Sequence, residues 1–462
     1  MGISMWDIWE RAEAGPICPV KEFETKVLFR KVQELVKKYG IKYDPASPVP
    51  TDDVMIDNIF KAGMELLVEV GVLCTDTEKL IKFDEQEVKD ALTFVSKEVT
   101  LGEGRDAAIM AHRGIEDKRL PLILGGPICV PISEDIAMKA YEAYARESSV
   151  EVLYPGTLTM AGGMTTKAGS PFEMYAEKTD TARAREAFKR AGRPGVAIWA
   201  GSYTAPRGAI STCNPEWGYR KCDLVHCYIM PNMKTDYGTL CKAEHFNQYG
   251  CHIWGMGTPF VGGLVGGPEG AAIASVAESL AACFIYKTDL LVLWTPDAMY
   301  APGMSARKPI WAASRGHAAM ARHTNFPKIG CTPYQAYAGP CTDMYLYEIA
   351  APTIAQVVCG AHPCVGGGRQ GCELDYFGGP LDTRFLHDVA YAATRLNRQK
   401  ANEIVKALLA KYEDRIKAKN PPVGKKFQEC NDLKTLKPTK EYLNLYDKVK
   451  KELEGMGLTF FK

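Results

Sequence analysis

The sequence predicts an α/β protein built on a (β/α)8 TIM barrel, with a helical N-terminal extension and a helical C-terminal tail. Three observations carry this. Between residues 120 and 362, eight short apolar runs recur, each of about strand length. Segments with helical spacing of apolar residues separate most of them, the alternation expected of βα units. The length of 462 residues, the 46% hydrophobic content and the 42 glycines fit a large α/β core. A doubly wound sheet is the alternative that the same alternation allows.

Residues 1–118 form the helical extension. A helix from Val27 to Tyr39 ends at Gly40, and Thr51-Asp52-Asp53 caps a second that runs to Gly71. On this second helix Phe60, Met64, Leu67 and Val68 recur at helical spacing. Residues 85–98 read as a third helix, and G-E-G-R-D-A (102–107) as a loop. The barrel spans 119–419. Its strands are expected at 120–128, 150–158, 195–201, 222–230, 251–258, 290–295, 328–334 and 357–362. Helices are expected at 133–147, 170–191, 268–286, 306–323 and 342–356, with a last helical region at 382–419. Residues 420–462 form a polar tail that packs on the barrel through a helix near 441–454.

The 56 basic and 55 acidic residues leave a net charge of +1, so no field of one sign points to nucleic acid or to an anionic membrane. No uninterrupted apolar run of about 18 residues predicts a membrane span. The start, M-G-I-S-M-W-D-I-W-E, lacks the basic-then-apolar order of a secretory signal. Fifteen cysteines, an odd number in a large chain, read as reduced thiols in a cytoplasmic protein.

In a barrel of this kind the C-terminal strand ends face one mouth, where chemistry is done. The stretch A-G-R-P-G-V-A-I-W-A-G-S-Y (191–203) places Trp199 and Tyr203 at the end of the third strand. His226 and Tyr228 lie on the fourth, and His252, Trp254 and Met256 alternate onto one face of the fifth. Trp294 and Asp297 end the sixth, Tyr334 and Gln335 the seventh, and His362 the eighth, ahead of G-G-G-R (366–369). Three tryptophans at strand ends predict an aromatic pocket wall, suited to stacking a ring or holding an ammonium group. Ordinary core filling is the plain alternative. Three histidines at one mouth predict acid–base work. His226-Cys227, Cys241, His245 and Cys251-His252 cluster in sequence, but no C-x-x-C or H-E-x-x-H spacing supports zinc, and no metal ligands are assigned.

Several blocks recur in a recognisable order. They are P-T-D-D-V-M (50–55), F-K-A-G-M-E-L-L (60–67), C-T-D-T (74–77), G-R-D-A (104–107), G-G-P-I-C-V-P-I-S-E-D (125–135) and S-P-F-E-M (170–174). A-G-R-P-G (191–195), A-G-P-C-T-D-M (338–344), K-F-Q-E-C-N-D-L-K-T (426–435) and P-T-K-E-Y (438–442) complete the series. Together they resemble the monomethylamine:corrinoid protein methyltransferase family over nearly the whole chain. The resemblance implies a (β/α)8 barrel, a homo-oligomer, and methyl transfer to the cobalt of a corrinoid carried by a separate small protein, with no cofactor bound tightly in this chain. The family keeps pyrrolysine shortly after A-G-R-P-G, where this chain has Trp199. The family's carboxylate before P-x-F-G-G matches Met256 here.

A tryptophan cannot add an amine, so monomethylamine is not the expected donor. The chain is similar to pyrrolysine-lacking relatives that act in aryl-ether O-demethylation. The expectation is therefore a methoxylated aromatic donor bound by Trp199, Tyr203, Trp254, Met256, Trp294, Asp297, Gln335 and His362. His226, His252, Tyr228 and Tyr334 are the candidates for protonating the leaving phenolate. The alternative is methyl transfer from a quaternary or other methylated amine held in an aromatic cage.

Overall fold

The segment H-I-W-G-M-G, strand His252–Gly257, shows how the residues build the barrel. Side chains alternate along a strand, so Trp254 and Met256 share the face packed into the interior cluster. Gly255 and Gly257 take the opposite face. A Cβ on Gly255 would lie 2.8 Å from the Ala282 Cβ, and one on Gly257 2.7 Å from the Glu278 Cβ. The bare backbone lets helix Pro268–Tyr286 lie directly on the strand. This helix is long and apolar enough to cross a membrane, but it is 94% buried within the protein and serves as a core helix.

The computed structural model describes residues 3–93, 95–128, 130–199, 206–298, 303–332, 335–365, 368–369 and 375–461. Eight parallel strands form the barrel: β1 Leu124–Gly125, β2 Val152–Leu153, β3 Ala197–Ile198, β4 Leu224–Tyr228, β5 His252–Gly257, β6 Leu290–Leu293, β7 Lys328–Cys331 and β8 His362–Val365. Each pairs with the next in chain order and β8 pairs with β1. The parallel bridge Trp199↔Leu224 closes the ring between β3 and β4.

The eighth strand departs from expectation. Helix Asp343–Val357 continues through the start of the run at 357–362, and β8 begins only at His362. The helix is buried all round, and an apolar run without a polar face reads alike as buried strand or buried helix. The region 382–419 also divides, into helices Pro380–Ala393 and Arg398–Lys417. Asn397 caps the second by accepting from the Lys400 N–H at 2.8 Å.

The stretch before the barrel holds strands as well as helices. Val72–Cys74 pairs with Lys79–Ile81 and with Lys234–Thr235 from the segment after β4. The expected loop at 102–107 is the turn of a hairpin, Glu98–Leu101 with Ala108–Ala111. Val99, Leu101 and Met110 of this hairpin pack into the interior cluster with Leu122, Leu124 and Val152. Backbone bonds from Gly102 to Cys222 and from Glu103 to Gly195 fasten it beside the starts of β4 and β3. The hairpin plugs the N-terminal end of the barrel and leaves the other end as the mouth.

Three buried carboxylates tie down the loops at that mouth. Glu278 accepts from the Met233 N–H (3.1 Å) after β4 and the Thr258 N–H (2.6 Å) after β5. Glu348 accepts from the N–H groups of Tyr337 (3.0 Å) and Ala338 (2.8 Å), and from the Ser305 hydroxyl (2.5 Å). Asp382 accepts from the Gly378 N–H at 3.0 Å and from the hydroxyls of Tyr345 and Tyr442, the latter in the C-terminal tail. Gly126, just after β1, has φ of +141°, and a Cβ there would meet the Tyr154 carbonyl oxygen at 2.0 Å. Gly126→Ala is expected to lower the unfolding free energy by at least about 1–3 kcal/mol, read from the denaturant midpoint. An unchanged midpoint would refute it.

Candidate active site

The alternation that points Trp254 and Met256 inward also decides the neighbouring strands. Tyr154 after β2, Trp199 after β3, and Leu224 of β4 face the same interior cluster as Trp254. The aromatic residues touch in sequence around one wall. The Tyr154 ring lies 4.7 Å from the Trp199 ring, and Trp199 lies 4.4 Å from Trp254, both edge to face. Trp254 lies 5.1 Å from the His226 imidazole, which stacks at 5.7 Å on Tyr228. Trp199 is 2% exposed and Trp254 4%, while Tyr228 at the end of the wall is partly exposed. Among the described residues, the indole nitrogens of Trp199 and Trp254 and Nδ1 of His226 are buried without a hydrogen-bond partner. Buried polar atoms are normally paired, so these three groups are ones that a bound ligand or water could satisfy.

A lysine stands at the end of this wall. Lys242, on helix Tyr237–Tyr249, is 1% exposed, and its Nζ sits 5.6 Å from the centre of the Tyr228 ring. Burial lowers its pKa. Burial first, and then the Lys242 charge, push the His226 pKa well below its ordinary value. The imidazole is therefore neutral at neutral pH and is no ready source of a proton.

The remaining candidates fall into three groups. Met256 borders the interior cluster near the mouth, and Trp294 follows β6 with its ring 5.8 Å from that of Phe260. Asp297 and Gln335 are buried in the loops after β6 and β7. Asp297 bridges to Val261 and borders a separate cleft of about 580 Å³, lined also by Tyr43, Arg307 and Glu413. Tyr203, Tyr334 and residues 366–367 lie outside the described residues.

Two histidines do not belong to the mouth. His252 and His362 are the first residues of β5 and β8, so they sit at the plugged end. His252 lies 3.7 Å from Asp289, and His362 accepts the Leu122 N–H at Nδ1 (2.9 Å) and donates from Nε2 to the Ala111 carbonyl (2.7 Å). The acid role expected of His252 and the binding role expected of His362 are thereby corrected. A strand carries its residues from one end of the barrel to the other, and a shift of its start by a few residues exchanges bottom for top. No group of three or more His, Cys, Asp and Glu side chains placed to hold a metal occurs among the described residues.

Two residues of the wall region escaped the sequence reading, Lys242 and Phe260. Lys242 did leave a signal. The buried face of its helix is Thr239, Leu240, Lys242, Ala243 and Phe246, so a lysine occupies a core position of the helical stripe.

The sequence profile described as Monomethylamine methyltransferase MtmB matches residues 3–458. The chain belongs to the monomethylamine methyltransferase MtmB family. It is 33% identical to the Monomethylamine methyltransferase MtmB of Methanosarcina mazei over 98% of both chains, and equally to MtmB1 of Methanosarcina acetivorans. The crystal structure of the Methanosarcina barkeri MtmB superposes with a TM-score of 0.94 at 31% identity, covering 100% of this chain and 99% of that one. A hydroxylamine complex of MtmB superposes with the same TM-score. The protein is an enzyme, a methyltransferase on a TIM barrel, as the MtmB resemblance implied. The expectation of O-demethylation of a methoxylated aromatic is overturned, because whole-length relatives are methyltransferases of a methylamine. Of the four acid candidates, His252 is at the other end of the barrel and burial lowers the His226 pKa, while Tyr228 stands in the wall and Tyr334 lies outside the described residues.

Proposed function

We propose that this MtmB-family enzyme transfers a methyl group from a methylated amine to the cobalt of a corrinoid carried by a partner protein in the cytoplasm. The observation that carries the reading is the wall Tyr154–Trp199–Trp254–His226–Tyr228. The resemblance implies that Trp199 takes the place of that family's electrophilic residue. Aromatic faces attract a cation, and the attraction grows when water is excluded.

The cobalt supplies a nucleophile whose electron pair forms the new bond to the methyl carbon. As the C–N bond breaks, its electron pair stays on nitrogen. A quaternary ammonium then leaves as a neutral amine and needs no acid, which suits a site whose histidine is neutral. The chain's own part is to hold the ammonium, orient one methyl toward the mouth and exclude water.

The test mixes the enzyme with reduced corrinoid protein and follows conversion of cobalt(I) to methyl-cobalt(III). Methylated ammonium donors are expected to methylate the cobalt, and a methoxybenzoate is not. If none of the mono-, di-, tri- and tetramethylated amines, nor a betaine, gives methyl-cobalt, the proposal is wrong.

A further inference from the structure

Lys242 is unexplained by a site that only cages a cation. Its ammonium is buried at the edge of the aromatic wall, over the Tyr228 ring. Among the described residues it makes no hydrogen bond and no ion pair. The Cys227 thiol first, then the Glu177 and Asp236 carboxylates and the Cys213 thiol, act on it only through space. Taking a lone ammonium out of water is costly unless a partner compensates. In the same site a second positive charge would repel a simple ammonium donor.

Side chains on a helix tilt toward its N-terminus. Tyr228 ends β4 on the same face as His226, whose ring stacks on that of Tyr228. The ammonium therefore meets the wall at the mouth end of β4, 5.6 Å from the centre of the Tyr228 ring.

We infer that Lys242 is the anion-recognising residue of the donor site, and that the methylated amine is a zwitterion with a carboxylate a few atoms from its ammonium. This rests on the methylated-amine reading above. The two ends are complementary. Aromatic faces take the ammonium and its methyl groups, and Lys242 takes the carboxylate in a charge-assisted hydrogen bond. The carboxylate also supplies the counter-charge that the buried lysine lacks. No bond to Lys242 forms or breaks during transfer, so its contribution is binding and orientation.

The experiment measures binding to the full-length protein by quenching of tryptophan fluorescence, with glycine betaine and tetramethylammonium as the two probes. Both present a quaternary nitrogen, and only the first carries a carboxylate. The wild type is expected to bind glycine betaine roughly 10- to 100-fold more tightly, the scale of one hydrogen bond to a charged group. Lys242→Met is expected to weaken glycine betaine by a similar factor and to tighten tetramethylammonium, because a repelling charge is gone. Lys242→Arg is expected to restore part of the betaine affinity. Opposite signs for the two probes are something a merely structural lysine would not produce. Equal wild-type affinities, or equal losses for both probes in Lys242→Met, would overturn the inference. The wild-type comparison needs no variant, so a misfolded variant does not blunt it. If tetramethylammonium methylates the corrinoid cobalt as well as the betaine does, the methylated-amine reading stands and only the zwitterion falls. If no methylated amine does, the wider reading falls too.

Discussion

Trp199→Leu is expected to raise the KM for a methylated ammonium donor roughly 30-fold, while kcat changes much less. The size follows from one desolvated cation–aromatic contact, about 2 kcal/mol, at tenfold per 1.4 kcal/mol. The split follows from where the charge is. In the proposed complex the indole face would meet a full positive charge, and that charge would decline on nitrogen as the C–N bond breaks. Its interaction is therefore made at least as strongly in the ground state as in the transition state, so its loss appears in KM. Trp199→Phe keeps a ring at 2% exposure between Tyr154 and Trp254 and is expected to retain most of the affinity. Initial rates of methyl-cobalt formation over a range of donor concentrations give both constants. A kcat that collapses at unchanged KM would show instead that the indole acts on the transition state.

Glu278→Ala is expected to cost about 2–6 kcal/mol of stability and to abolish transfer. It leaves two buried N–H donors, Met233 and Thr258, without their acceptor, at about 1–3 kcal/mol each. These donors belong to the segments that follow β4 and β5, so the positions of His226, Tyr228 and Trp254 relax with them. Burial outweighs the two donors and raises the Glu278 pKa to about 8. The folded state thus favours the protonated form. Its stabilising contribution is complete below the unfolded pKa and is lost as pH rises through about 8. Glu348 and Asp382, both raised to about 7 by burial, act in the same direction. The melting temperature is expected to fall between pH 6 and pH 9, and Glu278→Gln to flatten part of that slope. A melting temperature that rises over this interval would contradict the assignment.

Much of the barrel was legible because its strands are short apolar runs between helices with clear caps. Helix Pro268–Tyr286 begins and ends where its Pro and apolar spacing put it. β5 was readable to its faces, since alternating large residues and glycines tell inside from outside. The hairpin at Glu98–Leu101 and Ala108–Ala111 was not, because a two-stranded plug takes its meaning from the barrel it closes. The eighth strand was misplaced because a wholly buried helix end carries no polar face.

The site divides along the same line. By itself the sequence determined the family and the (β/α)8 class, and it placed Trp199 at the end of the third strand run. Those properties reside in local order along the chain. Only the tertiary structure decided which residues share the mouth. It moved His252 and His362 to the plugged end, gathered Tyr154, Trp199, Trp254, His226 and Tyr228 into one wall, and set Lys242 against it from a neighbouring helix. The reason is physical: alternation along a strand fixes the face a residue takes, while strand register and helix packing fix its height in the barrel and its company.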